Sequence, residues 1–452
     1  MITDRAAPRE RPLDRSGLRI AAILLGVAAC TAGPTTKDAT PPGSTAIDDD
    51  TVGDADADAD ADSDTDTDTD TDTDADADTG PVEPVDLDCL EDDPTLTAVE
   101  RQLIELPADS WTSLPSTSFQ AFCALNGLVE GDLGTYRCGN VIRAWGGGVY
   151  DAGERKLILF GGGHSDYAGN EVYGFDVASG AWTLVHPPTP FDQVLDSIDP
   201  YADGDPASRH SYDGFAYLPD RRQWFVYGGS RYGIGYATET AWLFDDASAA
   251  WAQQANALPS MGLLYMGTAY DAATGQVVTR SETGLFTWDP ATDTWTQRQD
   301  FGYSPFYPNY SQSNTRRGVV VPNRRLFVAL GGTFPDGRPD VVMFDLDTWA
   351  DQTASYPMTG DTSVVTRVAP GSDYDTADDA IVSWSGGAPA ILDLATLDWR
   401  RGTAVGAPAD AVPNGTYGRW RYIDHLNVFI LVNEPEDDVY FYKNTAGCGV
   451  GR

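Results

Sequence analysis

Two of the four histidines in this 452-residue chain stand beside residues that could support proton transfer. His164 follows three consecutive glycines, which permit positive φ and are expected to leave the imidazole exposed. Asp166 comes two residues later and His210 lies in the next repeated segment, so the three could form a general base with an orienting carboxylate. The alternative is a turn histidine bonded to the backbone. The candidate catalytic residues are His164, Asp166, Arg209, His210 and Glu282.

The segment around His164 is typical of a small antiparallel sheet. Residues 157–160 are apolar and predict a buried strand that the glycines end. Residues 172–175 predict the next strand, and Asp176 predicts a turn in which its carboxylate bonds its own backbone. Trp182 is then expected to anchor the outer strand.

This pattern recurs along the chain. Four segments carry an Asp six residues before a Trp: Asp176 and Trp182, Asp245 and Trp251, Asp289 and Trp295, Asp393 and Trp399. In a fifth segment Asp345 precedes Trp349 by a turn that is two residues shorter. Glycine pairs precede several of these segments, at positions 228–229, 331–332 and 386–387. Such periodic recurrence indicates an architecture of repeated small sheets.

The combination of a glycine pair, an aromatic residue before Asp and a later Trp resembles the kelch-repeat family. It is more loosely similar to the central propeller domain of galactose oxidase. The resemblance covers roughly residues 111–443 and implies an all-β, kelch-type β-propeller. The copper site of galactose oxidase is not expected, because it needs a Cys cross-linked to a Tyr and no Cys lies in a predicted blade strand. Fold resemblance alone says little about function.

Six tryptophans predict six blades: Trp111, Trp182, Trp251, Trp295, Trp349 and Trp399. The last repeat has no Trp-bearing outer strand after it, so the strand around Trp111 is expected to complete it. Closure of this kind removes open sheet edges. Seven blades are the alternative, because the insertions at 114–140 and 186–209 are long.

The kelch resemblance also implies a binding face. In a kelch blade the loop between strands two and three opens on the same side as the connections between blades, at the mouth of the central channel. We call this side the channel-mouth face. Arginines there suit carboxylate, sulfate or phosphate groups, and aromatic rings suit the apolar face of a sugar. The alternative is that the arginines bond carbonyls of neighbouring blades. The ligand-binding candidates are Arg143, Trp145, Tyr167, Arg209, Arg231, Tyr232, Tyr303, Tyr307, Arg316, Arg367, Arg419 and Trp420.

Residues 1–29 predict a lipoprotein signal peptide. An arginine-rich start precedes an apolar stretch, residues 20–29, that is too short to span a bilayer. Residues 27–30 resemble the lipobox of bacterial lipoproteins, in which the Cys receives the lipid; an ordinary signal peptide cut near Ala29 is the alternative. Lipidation of Cys30 would anchor the exported protein to the bacterial outer membrane, outside the cytoplasm.

Residues 30–85 predict a disordered linker rich in Asp, Thr and Ala. Every even position from 54 to 78 is Asp, and such like charges repel one another and keep the segment extended. A defined calcium site is not expected, because the glycines and spaced ligands of a calcium loop are missing. These thirteen aspartates contribute to a net charge of −40, and the rest of the chain is also acidic. Nucleic acid would therefore be repelled.

Four cysteines remain in the predicted propeller domain, residues 86–452, and allow three pairings. The favoured pairing joins Cys123 to Cys138 in a local loop and Cys89 to Cys448 at the two ends of the domain. A metal site with three histidines is not expected, because His425 falls in a hairpin turn on the opposite face.

The sequence therefore predicts a monomeric, surface-anchored binding module, without cofactor or metal. Its channel-mouth face would recognise an acidic glycan or a protein partner. The alternative is a cofactor-independent enzyme acting on acidic sugars, of the epimerase, mutarotase or lyase type.

Overall fold

The computed structural model describes residues 87–126, 138–194, 198–233, 235–301, 316–334, 337–367 and 369–449. The chain divides into two units, residues 1–78 and 79–452, and all described residues belong to the second. That unit is an all-β, six-bladed β-propeller, as predicted. The predicted signal peptide, the site of lipidation at Cys30 and the linker lie outside the described residues.

Short helices and one strand precede the first blade. They are α1 (Cys89–Asp92), α2 (Ala98–Ile104), β1 (Ser110–Leu114), α3 (Phe119–Leu125) and α4 (Asn140–Arg143). Thr97 and Glu100 form a capping box at the start of α2. Glu100 is buried, and its carboxylate lies 2.8 Å from the guanidinium of Arg155. This ion pair attaches α2 to the first blade. Among the helices of the described residues, none is long and apolar enough to cross a membrane.

Blades 1 to 3 have four strands each, and a short additional pair, β6 and β9, lies beside blade 2. Blade 1 contains β2 (Gly148–Asp151), β3 (Lys156–Leu159), β4 (Val172–Asp176) and β5 (Ala181–His186). The next strands are β6 (Arg209–His210), β7 (Phe215–Leu218), β8 (Gln223–Tyr227), β9 (Ser230–Arg231), β10 (Ala241–Asp245) and β11 (Ala250–Gln254). Blade 3 contains β12 (Gly267–Asp271), β13 (Gln276–Arg280), β14 (Gly284–Asp289) and β15 (Thr294–Asp300).

Blades 4 to 6 follow the same plan with variations. Blade 4 contains β16 (Arg317–Val321), β17 (Leu326–Thr333) and β18 (Pro339–Asp345). Blade 5 contains β19 (Thr359–Gly360), β20 (Gly371–Asp375), β21 (Ala380–Trp384), β22 (Ala390–Asp393) and β23 (Asp398–Arg401), and blade 6 contains β24 (Trp420–Ile423), β25 (Val428–Leu431) and β26 (Val439–Lys443). Turns of 3-10 helix span Phe191–Gln193, Pro219–Arg221, Pro322–Arg324, Thr353–Ser355, Tyr417–Arg419 and Asp424–Leu426.

The first strand of each blade lines the central channel. These strands contact one another in a closed ring, in the order β2, β7, β12, β16, β20, β24 and back to β2. Each blade is packed on both faces by its neighbours, so its middle strands are buried over most of their length. In β25, Val428 and Ile430 join one apolar cluster, whereas Phe429 and Leu431 join another. This division follows from the two-residue period of a strand.

The N-terminal strand completes the last blade, which confirms the predicted closure. Strand β1 pairs antiparallel with β26, and Trp111 lies opposite Tyr442. Both favoured disulfides are present, with Cα–Cα distances of 6.1 Å for the pair Cys89–Cys448 and 6.4 Å for the local pair Cys123–Cys138. The two ends of the described domain are therefore joined by a ladder of hydrogen bonds and by a covalent bond.

Trp349 departs from its predicted place on an outer strand. It lies in the turn after β18 with φ of +64°, because the segment from Asp345 is two residues too short to carry the Trp onto a strand. In place of a fourth strand, the described residues of blade 4 show an isolated β-bridge between Phe344 and Asp351. The Trp349 ring still contacts blade 3, since the guanidinium carbon of Arg298 lies 4.7 Å from its centroid.

Candidate functional site

The connections that lead into the first strands share an unusual backbone conformation. Trp145, Tyr212, Tyr265, Ala369 and Tyr417 each precede a first strand and have φ between +45° and +57°. Non-glycine residues seldom adopt this left-handed conformation, and those that do cluster at functional sites. Four of the five are aromatic, and they meet at the channel mouth. We call these four residues the aromatic ring.

Contacts among the side chains hold the aromatic ring together. The centroid of Tyr212 lies 4.8 Å from that of Tyr265 and 6.0 Å from that of Tyr417. Tyr417 is fully buried, and its hydroxyl has no hydrogen-bond partner among the described residues. Burial raises the pKa of all three tyrosines, so they are neutral phenols at physiological pH. Tyr212 and Tyr417 are buried, so the flat apolar surfaces that the aromatic ring offers are those of half-buried Trp145 and Tyr265.

His210 extends the aromatic ring with an ionisable pair. Its Nε2 atom lies 2.7 Å from Oδ2 of Asp166, and its imidazole centroid is 4.9 Å from that of Trp145. The His210 side chain is buried, whereas that of Asp166 is 34% exposed. Burial lowers the pKa of His210, and the hydrogen bond and charge of Asp166 act in the opposite direction. The result is a neutral imidazole whose Nε2–H donates to the carboxylate and whose Nδ1 remains as the basic nitrogen.

The glycines before His164 allow two blades to approach closely. Gly163 has φ of +65°, and a Cβ atom there would lie 2.2 Å from the backbone nitrogen of His210. Glycine is needed at this position because no side chain fits. The approach places the imidazole centroid of His164 5.5 Å from that of His210.

A loop of blade 2 holds His164 in place. His164 is exposed and has φ of +40°. Its N–H donates to the oxygen of Ser230 at 3.3 Å, and its carbonyl accepts from the N–H of Gly233 at 2.7 Å. The structure thus brings His164, Asp166 and His210 together at one place on the channel-mouth face.

Two of the candidate arginines are buried in ion pairs. The guanidinium of Arg209 lies 2.9 Å from the carboxylate of Asp199, and both side chains are fully buried. The guanidinium of Arg316 lies 2.6 Å from the carboxylate of Asp340. Both arginines therefore stabilise the fold beneath the face and are not placed to contact a ligand directly.

Arg419 and Trp420 are also internal. Fully buried Arg419 donates to the carbonyl oxygen of Val432 at 2.7 Å and to that of Gly146 in the next blade at 3.0 Å. This is the alternative role, bonding between blades. Trp420 is fully buried between blades 5 and 6, and its Nε1–H donates to the carbonyl of Val382 at 3.0 Å.

The next ligand-binding candidates lie in blades 1 and 2 and differ in how far they are buried. Tyr167 is buried, and its hydroxyl donates to the carboxylate of Glu171, whose pKa is raised by complete burial. Arg231 at the end of β9 and Tyr232 directly after it are half-buried and remain at the face. Arg231 Nε has no hydrogen-bond partner among the described residues.

The remaining arginines at the face already have protein partners. The exposed guanidinium of Arg143 lies 2.5 Å from the carboxylate of Glu436 and 3.4 Å from that of Glu434. Arg367 donates to the carbonyl of Ser385 at 2.6 Å. The charge of Arg143 is therefore compensated by two carboxylates, whereas Arg367 keeps its charge and donates to a neutral carbonyl. The candidates Tyr303 and Tyr307 lie outside the described residues.

Glu282 lies apart from the histidines. It is half-buried in the loop between β13 and β14, on the side of the face near Tyr265. Burial raises its pKa, and the charge of Arg316 acts in the opposite direction. Among the described residues, no group of three or more His, Cys, Asp or Glu side chains could hold a metal ion.

An ion pair that sequence reasoning missed follows Tyr212 directly. The Asp213 carboxylate lies 2.8 Å from the guanidinium of Arg317 and also accepts the N–H groups of Thr268 and Gly318. Burial raises the pKa of Asp213 to about 6. This pair connects blades 2, 3 and 4 where their connections enter the channel.

Tyr212 and Tyr417 were also missed as site residues, although the sequence carries a signal for them. In each aromatic connection a glycine follows the aromatic residue, directly in Trp145-Gly146 and Tyr417-Gly418 and after one intervening residue at Tyr212 and Tyr265.

The chain matches no protein-family model and no curated protein. Its function therefore has to be inferred from the geometry of the channel-mouth face.

Proposed function

We propose that this chain is an exported, lipid-anchored, monomeric protein whose propeller binds a saccharide at the channel-mouth face. The observation that carries this proposal is the aromatic ring, whose backbone is left-handed at all four positions and whose Trp145 and Tyr265 are partly exposed. Aromatic faces pack against the apolar face of a sugar, and neighbouring hydroxyl and imidazole groups bond its hydroxyls.

The repeats are proposed to be of the kelch type, whose members most often act as interaction modules. Support comes from the glycine pairs that lie at the end of second strands or just after them, and from the Asp residues that end third strands. Asp176 accepts the N–H of Ser179 at 2.8 Å, and Asp245 accepts that of Ser248 at 2.9 Å. The same turn thus recurs in blades 1 and 2.

The membrane attachment is proposed from the lipobox-like residues 27–30 and the acidic linker that follows them. Like-charge repulsion would extend the linker and hold the propeller away from the bilayer. Mass spectrometry of the mature protein tests this: we expect an N-terminal Cys30 carrying acyl chains. A mature chain that starts elsewhere without lipid would contradict the anchor.

Few arginines at the face could recognise an acidic ligand. Three of the candidate arginines are internal, so an acidic saccharide would rely mainly on Arg231 and Arg367. A protein partner is the other expected ligand, and binding of a saccharide panel separates these possibilities.

Titration of the mature chain with neutral and uronic-acid oligosaccharides tests saccharide binding. Trp145→Ala should weaken binding roughly tenfold or more, because it removes an aromatic contact at the centre of the site. Leu184→Ala is the matched control, since Leu184 is 38% exposed on the outer strand of blade 1. Failure of every saccharide to bind, or equal affinity in the Trp145 variant, would exclude this function.

A cofactor-independent enzyme acting on acidic sugars is the second candidate. The pair His210–Asp166, at 2.7 Å beside exposed His164, favours it, since a neutral imidazole oriented by a carboxylate can act as a general base. Prolonged incubation with acidic monosaccharides in deuterated water should then give product or deuterium at a sugar carbon, and His210→Asn should abolish this. Binding without product or exchange would exclude the enzyme and leave ligand binding as the proposed function.

A further inference from the structure

A cleft opens on the channel-mouth face between blades 2 and 3. Its volume is about 690 Å³, which falls within the range of small-ligand sites, about 300–1,000 Å³. Its walls come from the connection between the two blades, residues 259–265, from the loop after β13 and from outer strand β15. Tyr265 belongs both to this cleft and to the aromatic ring, so the two sites adjoin.

The cleft combines apolar walls with a carboxylate. Met261, Leu263 and Leu264 line it, and Glu282 contributes its carboxylate from the loop after β13. Asp300 adds a second carboxylate at the exposed rim. The carboxylate of Glu282 therefore disfavours a uronic acid in this cleft and favours a cation.

The negative charge of Glu282 is poorly compensated by the protein. No described residue donates a hydrogen bond to its carboxylate, although the side chain is half-buried. The cationic group that acts on it is Arg316, whose guanidinium is bonded to Asp340 at 2.6 Å. A partly desolvated carboxylate without a donor is unfavourable, and a cationic ligand group would relieve this cost.

We infer that this cleft binds the ammonium group of an amino sugar, with Glu282 as its partner. The inference rests on the proposed saccharide function. A sugar unit packed against the aromatic ring places its neighbour at Tyr265, where the apolar walls contact the sugar framework and the carboxylate accepts from the ammonium group. A charge-assisted hydrogen bond of this kind gives both affinity and selectivity.

Calorimetric titration of the mature chain with a glucosamine tetramer and with its N-acetylated counterpart tests the inference. At mildly acidic pH the first is cationic and the second neutral. We expect the cationic tetramer to bind about tenfold more tightly or better, because it gains a hydrogen bond to a charged group. Glu282→Gln should remove this preference.

Glu105→Gln is the matched control. Glu105 is an exposed glutamate at the end of α2, and α2 packs against the turn Asp424–Leu426, away from the channel-mouth face. Its substitution should leave both affinities unchanged. Binding of the cationic tetramer to the acidic linker is the same in all variants, and added salt screens it.

The possible outcomes separate this inference from the proposed function. If neither tetramer binds and no other saccharide does, the proposed function fails and the amino-sugar site fails with it. If both tetramers bind equally, or Glu282→Gln changes neither affinity, saccharide binding stands and the amino-sugar site is wrong. A tetralysine peptide that bound more tightly than the cationic tetramer, with the same dependence on Glu282, would overturn the saccharide assignment in favour of a basic protein segment.

Discussion

At the scale of single residues, two opposing effects set the charge of His210. Burial disfavours the imidazolium, whereas Asp166 at 2.7 Å favours it, and burial is the larger effect. We expect the pKa of His210, followed by its NMR signals, to lie below the ordinary value of 6.5. Asp166→Asn should lower the pKa further, because the opposing charge is lost. A pKa above the ordinary value, or a rise in the variant, would contradict this balance.

The same shift links folding to pH. A histidine with a lower pKa in the folded state binds fewer protons there than in the unfolded chain. Its contribution to stability is therefore fully present above pH 6.5 and is lost as the pH falls through the folded-state pKa. Urea unfolding across this range should show a steeper fall in the free energy of unfolding for the wild type than for His210→Gln. Parallel pH profiles for the two proteins would indicate that His210 is not buried in its neutral form.

At the scale of elements, the repeated Trp on the outer strand joins neighbouring blades. At three of these tryptophans the indole N–H donates to a backbone carbonyl that follows the outer strand of the preceding blade. These bonds run from Trp111 to Thr403 at 3.0 Å, from Trp182 to Thr117 at 2.8 Å and from Trp295 to Ala255 at 2.9 Å. At Trp182 and Trp295 the Asp-to-Trp spacing therefore reflects a contact between blades as well as a turn within one.

Trp182 and Trp251 offer a matched test of this contact. Trp182→Phe should lower the free energy of unfolding by about 1–2 kcal/mol, through the lost hydrogen bond and the smaller ring. Trp251→Phe should cost less, because the buried Nε1 of Trp251 has no partner among the described residues. Urea denaturation measures both values. Equal losses would show that the indole volume, and not its N–H, connects the blades.

Particular elements show what could be predicted from sequence and what could not. The closing strand at Trp111 could be predicted, because the last repeat lacks a Trp-bearing outer strand of its own and one such strand precedes the first blade. Spacing misplaced Trp349, where two missing residues leave the Trp in a turn. The residue type of Arg419 was visible, but its carbonyl partner at Gly146 is remote in sequence and comes near only after the ring closes. The place of Tyr417 in the aromatic ring depended on a left-handed backbone that its residue type does not reveal.

At the scale of the whole molecule, each first strand contacts its two neighbours around the channel, so closure of the ring depends on the contact between the last blade and the first. Blade 6 supplies that contact, since β1 and β26 come from opposite ends of the described domain. The channel-mouth face draws residues from most blades, and an opened ring would separate Trp145 of blade 1 from Tyr417 of blade 6. Closure is therefore a condition for the proposed binding site as well as for stability.

The disulfide between Cys89 and Cys448 should contribute more to stability than the local one, because it restricts the unfolded chain over a separation of 359 residues instead of 15. On the chain-entropy model, Cys89→Ser with Cys448→Ser should lower the free energy of unfolding by roughly 5–6 kcal/mol, and Cys123→Ser with Cys138→Ser by about 3 kcal/mol. Urea unfolding of the two double variants checks the order. A larger loss from the local pair would mean that the pairing of β1 with β26 closes the ring without help from the covalent bond.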